Sequence, residues 1–159
     1  MNLKPITPCL WFDKQGEEAA NFYVSLFPNS SIGAISRYGK EGYEFHQMPE
    51  GTAMVVTFSL NGQPFSVLNG GPRFKHSEAV SFQVFCDTQE EIDYFWNKLT
   101  ENGGEESQCG WCKDKFGLSW QIVPSMLSEL MSGDPAKAGR VVNAFMQMKK
   151  MDIATLLNA

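Results

Sequence analysis

The strongest constraint on the fold is an internal echo: the second half of the chain repeats the element order of the first. Residues 6–12 (ITPCLWF) read as a buried strand ending at Asp13, and residues 80–86 (VSFQVFC) as another ending at Asp87. A helical stretch follows each strand. Over 17–26, Ala19, Phe22, Tyr23 and Leu26 repeat at helical spacing; over 89–99, Ile92, Phe95, Trp96 and Leu99 do the same. A shift of 73 residues lays Glu17-Glu18 on Glu90-Glu91, Phe22 on Phe95, Tyr23 on Trp96 and Leu26 on Leu99, and a shift of 74 lays Asp13 on Asp87. Each helix is followed by three strand candidates: 31–38, 53–60 and 63–68 in the first half, 105–108, 111–113 and 119–123 in the second. Asn61-Gly62 is the strongest hairpin signal in the chain. The matching order makes duplication the best account and predicts an α+β protein of two βαβββ modules.

The boundaries follow. The first module spans 1–69, a Gly-Gly-Pro linker 70–79, the second module 80–124 and a helical C-terminal tail 125–159. Residues 39–51 are polar and Gly-containing and are expected to form a mobile loop. In the tail, Asp134-Pro135 reads as an N-cap with Pro at the first helical position, and Asp152 as the cap of a last short helix. Val141, Val142, Phe145 and Met148 form an apolar stripe, suited to packing on its own sheet, to a dimer contact or to a lid.

Residues 109–124 (CGWCKDKFGLSWQIVP) form the most informative stretch. Asp114-Lys115-Phe116-Gly117 supplies a tight turn. Beyond it Leu118, Trp120 and Ile122 alternate with Ser119, Gln121 and Val123, as in a half-buried strand. If the second set lines a cavity, Gln121 is its central polar group.

Composition narrows the function. A net charge of −5 without a basic stripe argues against nucleic acid. No apolar run approaches the ~20 residues needed to span a bilayer. The opening MNLKPITPCLWF shows no signal peptide, and four cysteines without one fit reduced thiols, so a cytoplasmic protein is expected.

The βαβββ order, together with 6–28 (ITPCLWFDKQGEEAANFYVSLFP), Gly70-Gly71-Pro72, 79–99 (AVSFQVFCDTQEEIDYFWNKL), 109–124 and the MKKMDIATL of the tail, resembles the glyoxalase or vicinal oxygen chelate superfamily. More narrowly it resembles the PhnB-like branch, whose members carry the label 3-demethylubiquinone-9 3-methyltransferase. Nothing in the residues supports methyl transfer, because neither strand is followed by the Gly-rich turn that lets backbone approach a nucleotide cofactor. The resemblance implies paired modules, a homodimer and, in metal-dependent relatives, a His or Glu ligand on each of four strands. The matching strands here offer Thr7 or Cys9, Val67 or Asn69, Ser81 or Gln83, and Gln121. Amides and hydroxyls contribute too little charge to hold a divalent ion, so no metal and no cofactor are expected.

Thr7, Cys9, Asn69, Ser81, Gln83 and Gln121 then read as a cup that hydrogen-bonds a neutral polar ligand, with Trp11 and Trp111 as flat walls. His46 and His76 fall in expected loops and read as surface residues, although His46 beside Glu44 has the chemistry of an acid–base group. Cys109 and Cys112 form a CxxC without the second pair that zinc needs, or the helix start that a redox pair favours; two reduced thiols in a sheet is the plainer reading. A metal-free small-molecule binding protein leads. An enzyme acting on a small metabolite, and an interaction scaffold using the tail, stay as alternatives.

Overall fold

The computed structural model describes residues 6–159. The chain divides into two compact units, one ending at Lys75 and the other beginning at His76. The first unit contains β1 (Cys9–Phe12), α1 (Gly16–Leu26), β2 (Ser31–Arg37), α2 (Tyr43–His46), β3 (Ala53–Leu60) and β4 (Gln63–Asn69). Its strands lie in the order β1-β4-β3-β2, with β1 parallel to β4 and the other pairs antiparallel. The β3–β4 turn is made by Asn61 and Gly62 at φ 46° and 80°, the double positive φ that a tight hairpin requires.

Register then decides the faces. Val56 opposes Val67 and Phe58 opposes Phe65. These four are buried with Ala19, Ala20, Tyr23 and Leu26 of α1, and the Tyr23 ring stacks on Phe58. On the other face Cys9, Ser66 and Thr57 lie in one row across three strands. Thr57 Oγ1 anchors the bulge in β2, accepting from Ala34 N at 2.8 Å and donating to Ala34 O at 3.2 Å.

The second unit contains β5 (Ser81–Cys86), α3 (Gln89–Thr100), a 3-10 turn (Glu101–Gly103), β6 (Glu105–Glu106), β7 (Trp111–Lys113), β8 (Ser119–Pro124), α4 (Leu127–Ser132), α5 (Pro135–Phe145) and α6 (Ile153–Leu157). Its sheet has the order β5-β8-β7-β6, again with the first pair parallel. Both units therefore thread their four strands alike, and the duplication is topological. Ile92, Trp96 and Leu99 of α3 are buried, and Trp96 and Leu99 stand where the echo places Tyr23 and Leu26. Thr88 and Glu91 close a capping box at the start of α3.

The units differ in size. β2 and β3 have 7 and 8 residues, whereas β6 and β7 have 2 and 3. The strand expected over 105–108 stops at Glu106 because the chain turns: Cys109 and Gly110 have φ 56° and 80°, and Trp111 N donates to Gln108 O.

The tail packs on its own unit. Asp134 Oδ2 accepts from Lys137 N at 2.9 Å and Asp152 Oδ1 from Thr155 N at 2.7 Å, the two caps expected from sequence. Val141, Met151 and Leu156 are buried. Gln89 ties the tail to α3, donating to Met151 O and accepting from Ile153 N. Among the described residues no helix is long and apolar enough to cross a membrane.

The stretch 39–51 carries more structure than its composition indicates. It holds α2, a ring contact between Tyr38 and His46 at 4.4 Å, and a buried Met48. Gly70 and Gly71, expected as linker, are bonded to the first unit through Phe12 O and Asp13 O. A Cβ at Gly70 would collide with the Trp11 ring, so Gly is required there.

One expected lining residue lies on the other face. Asn69, 1% exposed, sits on the helix side of β4. Its Oδ1 accepts from Gly16 N at 2.8 Å and its Nδ2 donates to Ala53 O at 2.9 Å. Gln15, the N-cap of α1, makes no side-chain capping bond, so Asn69 caps that helix from a distant strand. Asn69→Leu leaves two buried backbone groups unpaired and is expected to cost about 2–4 kcal/mol in urea unfolding.

The four cysteines are free. Cys112 of the CxxC is buried, and burial pushes its thiol up to about 12. Burial does the same to Cys86. At pH 8 a thiol reagent is expected to modify Cys9 and Cys109 in the folded protein and to reach Cys86 and Cys112 only after unfolding.

Candidate functional site

Alternation along the second sheet puts Ser81, Gln83 and Phe85 of β5, Ser119, Gln121 and Val123 of β8, and Trp111 and Lys113 of β7 on the face away from α3. The register sorts them into rows. Glu105, Lys113, Ser119 and Ser81 form the first, crossing all four strands. Trp111, Gln121 and Gln83 form the second. Val123 and Phe85 form the third, and Phe85 is 62% exposed. Along the strands the face thus runs from charged, through amide and indole, to apolar.

The middle row is hydrogen-bonded. Gln121 Nε2 donates to Ser81 Oγ at 2.8 Å, and Gln83 Nε2 donates to Gln121 Oε1 at 3.4 Å. The 2.8 Å bond to Ser81 orients the Gln121 amide, and the contact from Gln83 at its other end is long. Ser81 Oγ has accepted a bond and keeps its own O–H to donate. Gln83 keeps its carbonyl oxygen to accept.

Asp114 holds these strands in register. Its side chain is buried, and Oδ1 accepts from Phe116 N at 2.8 Å and Leu118 N at 3.1 Å. Oδ2 accepts from Trp120 Nε1 at 2.9 Å. The turn is closed by Gly117 N on Asp114 O, with Gly117 at φ 82°.

At the charged end Glu78, on the segment leading into β5, pairs with Lys113 at 2.5 Å. That bond holds the Lys113 ammonium above its ordinary range and the Glu78 carboxyl below its own. Glu106 is lowered mainly by the hydrogen bond from Trp96 Nε1. The amide row was legible from sequence; this charged end was not. Lys113 and Ser119 share the parity of Gln121, but the two-residue β6 that brings in Glu105 carries no periodic signal.

The candidates of the first half lie within the first unit. Thr7 and Cys9 are exposed and Trp11 is half-buried, with its Nε1 donating to Gly71 O at 2.8 Å. Thr7, Ser31, Thr57, Ser59 and Ser66 line a shallow hollow of about 420 Å³ in that unit. Ser81, Gln83, Trp111 and Gln121 are brought together on the second sheet, and Asn69 faces its helix.

The metal of the metal-dependent relatives does not fit these residues. Among the described residues no group of three or more His, Cys, Asp or Glu side chains is arranged to hold an ion. The strand positions carry hydroxyl, amide, thiol and indole groups, which lack the charge for a hard or borderline cation. His46 is engaged by backbone: Nδ1 accepts from Met48 N at 2.9 Å, so the ring proton is assigned to Nε2, which lies 3.2 Å from Glu41 O. His76 is half-buried, and desolvation lowers its proton affinity against the opposing charge of Asp114.

The family described as 3-demethylubiquinone-9 3-methyltransferase matches residues 4–123. A PhnB protein from Bacillus cereus is 38% identical, over 76% of this chain and 99% of its own, with a TM-score of 0.68. Two more distant structures share the fold alone. A protein from Pseudomonas aeruginosa is 18% identical over 77% of this chain and 98% of its own, with a TM-score of 0.61. The genomically encoded fosfomycin resistance protein FosX of Listeria monocytogenes is 11% identical over 87% of this chain and 99% of its own, with a TM-score of 0.52. No curated protein matches the chain. With a family match over residues 4–123 and a PhnB protein 38% identical, the chain belongs to the family described as 3-demethylubiquinone-9 3-methyltransferase.

Proposed function

We propose that this chain is a metal-free small-molecule-binding protein whose ligand lies on the open face of the second sheet, over Gln121. The observation that carries this reading is the oriented run Gln83–Gln121–Ser81 beside Trp111. Its free capacity is directional: the Ser81 O–H donates and the Gln83 carbonyl accepts. A ligand with neighbouring acceptor and donor atoms on a flat frame, such as an amide, a lactam or a heteroaromatic ring, answers both and lays its π-face on the indole. The 3.4 Å bond from the exposed Gln83 is long, so that amide gives up little in turning towards a ligand.

Methyl transfer, the reaction in the family's name, is not favoured by the residues. The strand–helix joints read Asp13-Lys14-Gln15-Gly16 and Asp87-Thr88-Gln89-Glu90, and neither gives the glycine-lined approach that a nucleotide cofactor requires. The proposed assembly is a homodimer, in which a second copy would shield apolar side chains such as Val80 and Phe85, 64% and 62% exposed in the single chain. Four free cysteines suit a reducing cytoplasm.

Three measurements test this. Elemental analysis of the purified protein is expected to find no stoichiometric zinc, nickel, manganese or iron. Light scattering is expected to give twice the chain mass. In a thermal-shift screen of small amides and heteroaromatics, a ligand at about 100 times its Kd adds ~2.7 kcal/mol. Gln121→Ala is expected to remove most of that gain while the protein still unfolds cooperatively. A hit that survives both Gln121→Ala and Trp111→Ala places the seat elsewhere.

A further inference from the structure

At the charged end of the same face lies a cavity of about 200 Å³ that the amide row leaves unused. Its walls include Ser119, Lys113, Trp111, Glu105, Glu106 and Glu78. Two independent observations mark it as built to receive something. The first is Ser119. It is 1% exposed, and its Oγ has no hydrogen-bond partner among the described residues. Nearly all buried hydroxyls in folded proteins are paired, so one left without a protein partner on a cavity wall is a place for a ligand atom.

The second is the charge balance. Three carboxylates face one ammonium in the wall. Lys113 is held by Glu78 at 2.5 Å, and Glu106 is engaged by Trp96 Nε1 at 3.0 Å and by Lys149 at 3.6 Å. Glu105 is in register with Lys113 and its charge acts on that ammonium from a distance, but no ion pair closes between them. An anion entering here would meet an ammonium already occupied and three negative groups. A cation gains Glu105 and the face of an indole.

We propose that this cavity takes the cationic head of the ligand, a primary or secondary ammonium, with Ser119 Oγ and Glu105 accepting its N–H donors and Trp111 lying against its carbon atoms. The proposal rests on the seat over Gln121 and specifies what that seat holds: a molecule with a protonated amine at one end and a flat amide or heteroaromatic portion next to it. Trp111 belongs to both parts, since it lines the cavity and stands in register with Gln121. The volume suits a head group of a few heavy atoms and not a whole drug-sized ligand.

The test uses four probes on the full chain, followed through the Trp111 indole signal, the Ser119 backbone amide and the Gln121 side-chain amide in proton–nitrogen NMR. The probes are 2-phenylethylammonium, 3-phenylpropionate, 3-phenylpropan-1-ol and benzamide. The ammonium is expected to move the Trp111 and Ser119 signals and to bind about tenfold more tightly than the propionate or the alcohol. Glu105→Gln is expected to weaken the ammonium about three- to tenfold and to leave benzamide unchanged. Ser119→Ala is expected to weaken the ammonium about fivefold while leaving the melting temperature of the unliganded protein equal or higher, because it removes a buried hydroxyl that has no protein partner.

Equal binding of the ammonium and the propionate overturns the proposal. So does an ammonium affinity unaffected by Glu105→Gln and Ser119→Ala. If benzamide moves the Gln121 amide in either case, the seat over Gln121 stands and only the cationic head falls. If no probe moves the Gln121 signal, the seat falls as well.

Discussion

Three donors converge on the carboxylate of Asp114: two backbone N–H groups of its own turn and the indole of Trp120. A buried carboxylate is tolerable only when so satisfied, and here its bonds fix where β7 ends and where β8 begins. Side chains in a strand alternate with period two, so a slip of one residue in this hairpin would turn Ser119, Gln121 and Val123 towards α3 and bring Trp120 and Ile122 to the surface. The face, its graded rows and the amide chain all depend on that register. The apolar side enforces the same choice, since Trp120 and Ile122 are buried beneath α3.

Duplication gave the two units one topology and different open faces. In the first, long strands β2 and β3 carry a comb of hydroxyls and a bulge held by Thr57. In the second, two short strands leave room for an indole, two amides and a charged cluster. The helix sides diverged less, because a packed core tolerates few changes of volume: Tyr23 and Trp96 occupy corresponding positions and both are buried. Freedom to diverge lay on the faces that carry no core.

Local signals are legible in the sequence. Asn61-Gly62, the turn from Asp114 to Gly117 and the caps Asp134 and Asp152 each act within a few residues, so their chemistry is visible in a short window. The periodicity of α1 and α3 and the parity of Gln121 are of the same kind. Features that depend on distant residues are not legible in this way. Asn69 resembled a cavity residue because it is polar at the end of a strand, yet it caps a helix 53 positions earlier, a bond that no local pattern encodes. α2 is four residues long and is held by ring contacts of Tyr38 and Tyr43 with His46 rather than by helical spacing. Glu78 reaches Lys113 across 35 positions of sequence, from a stretch whose glycines and proline read as linker.

The brevity of β6 has a bearing on how the second sheet moves. Two residues pair with β7, through Glu105 with Lys113 and Glu106 with Cys112, so few backbone bonds secure that margin. β8 lies between two neighbours and is anchored on both sides. Local opening is cheapest where the fewest bonds must break, so this sheet frays from the β6 side inward. Opening of that edge displaces Glu105 and Glu106 while the amides of β8, paired on both sides, stay in place.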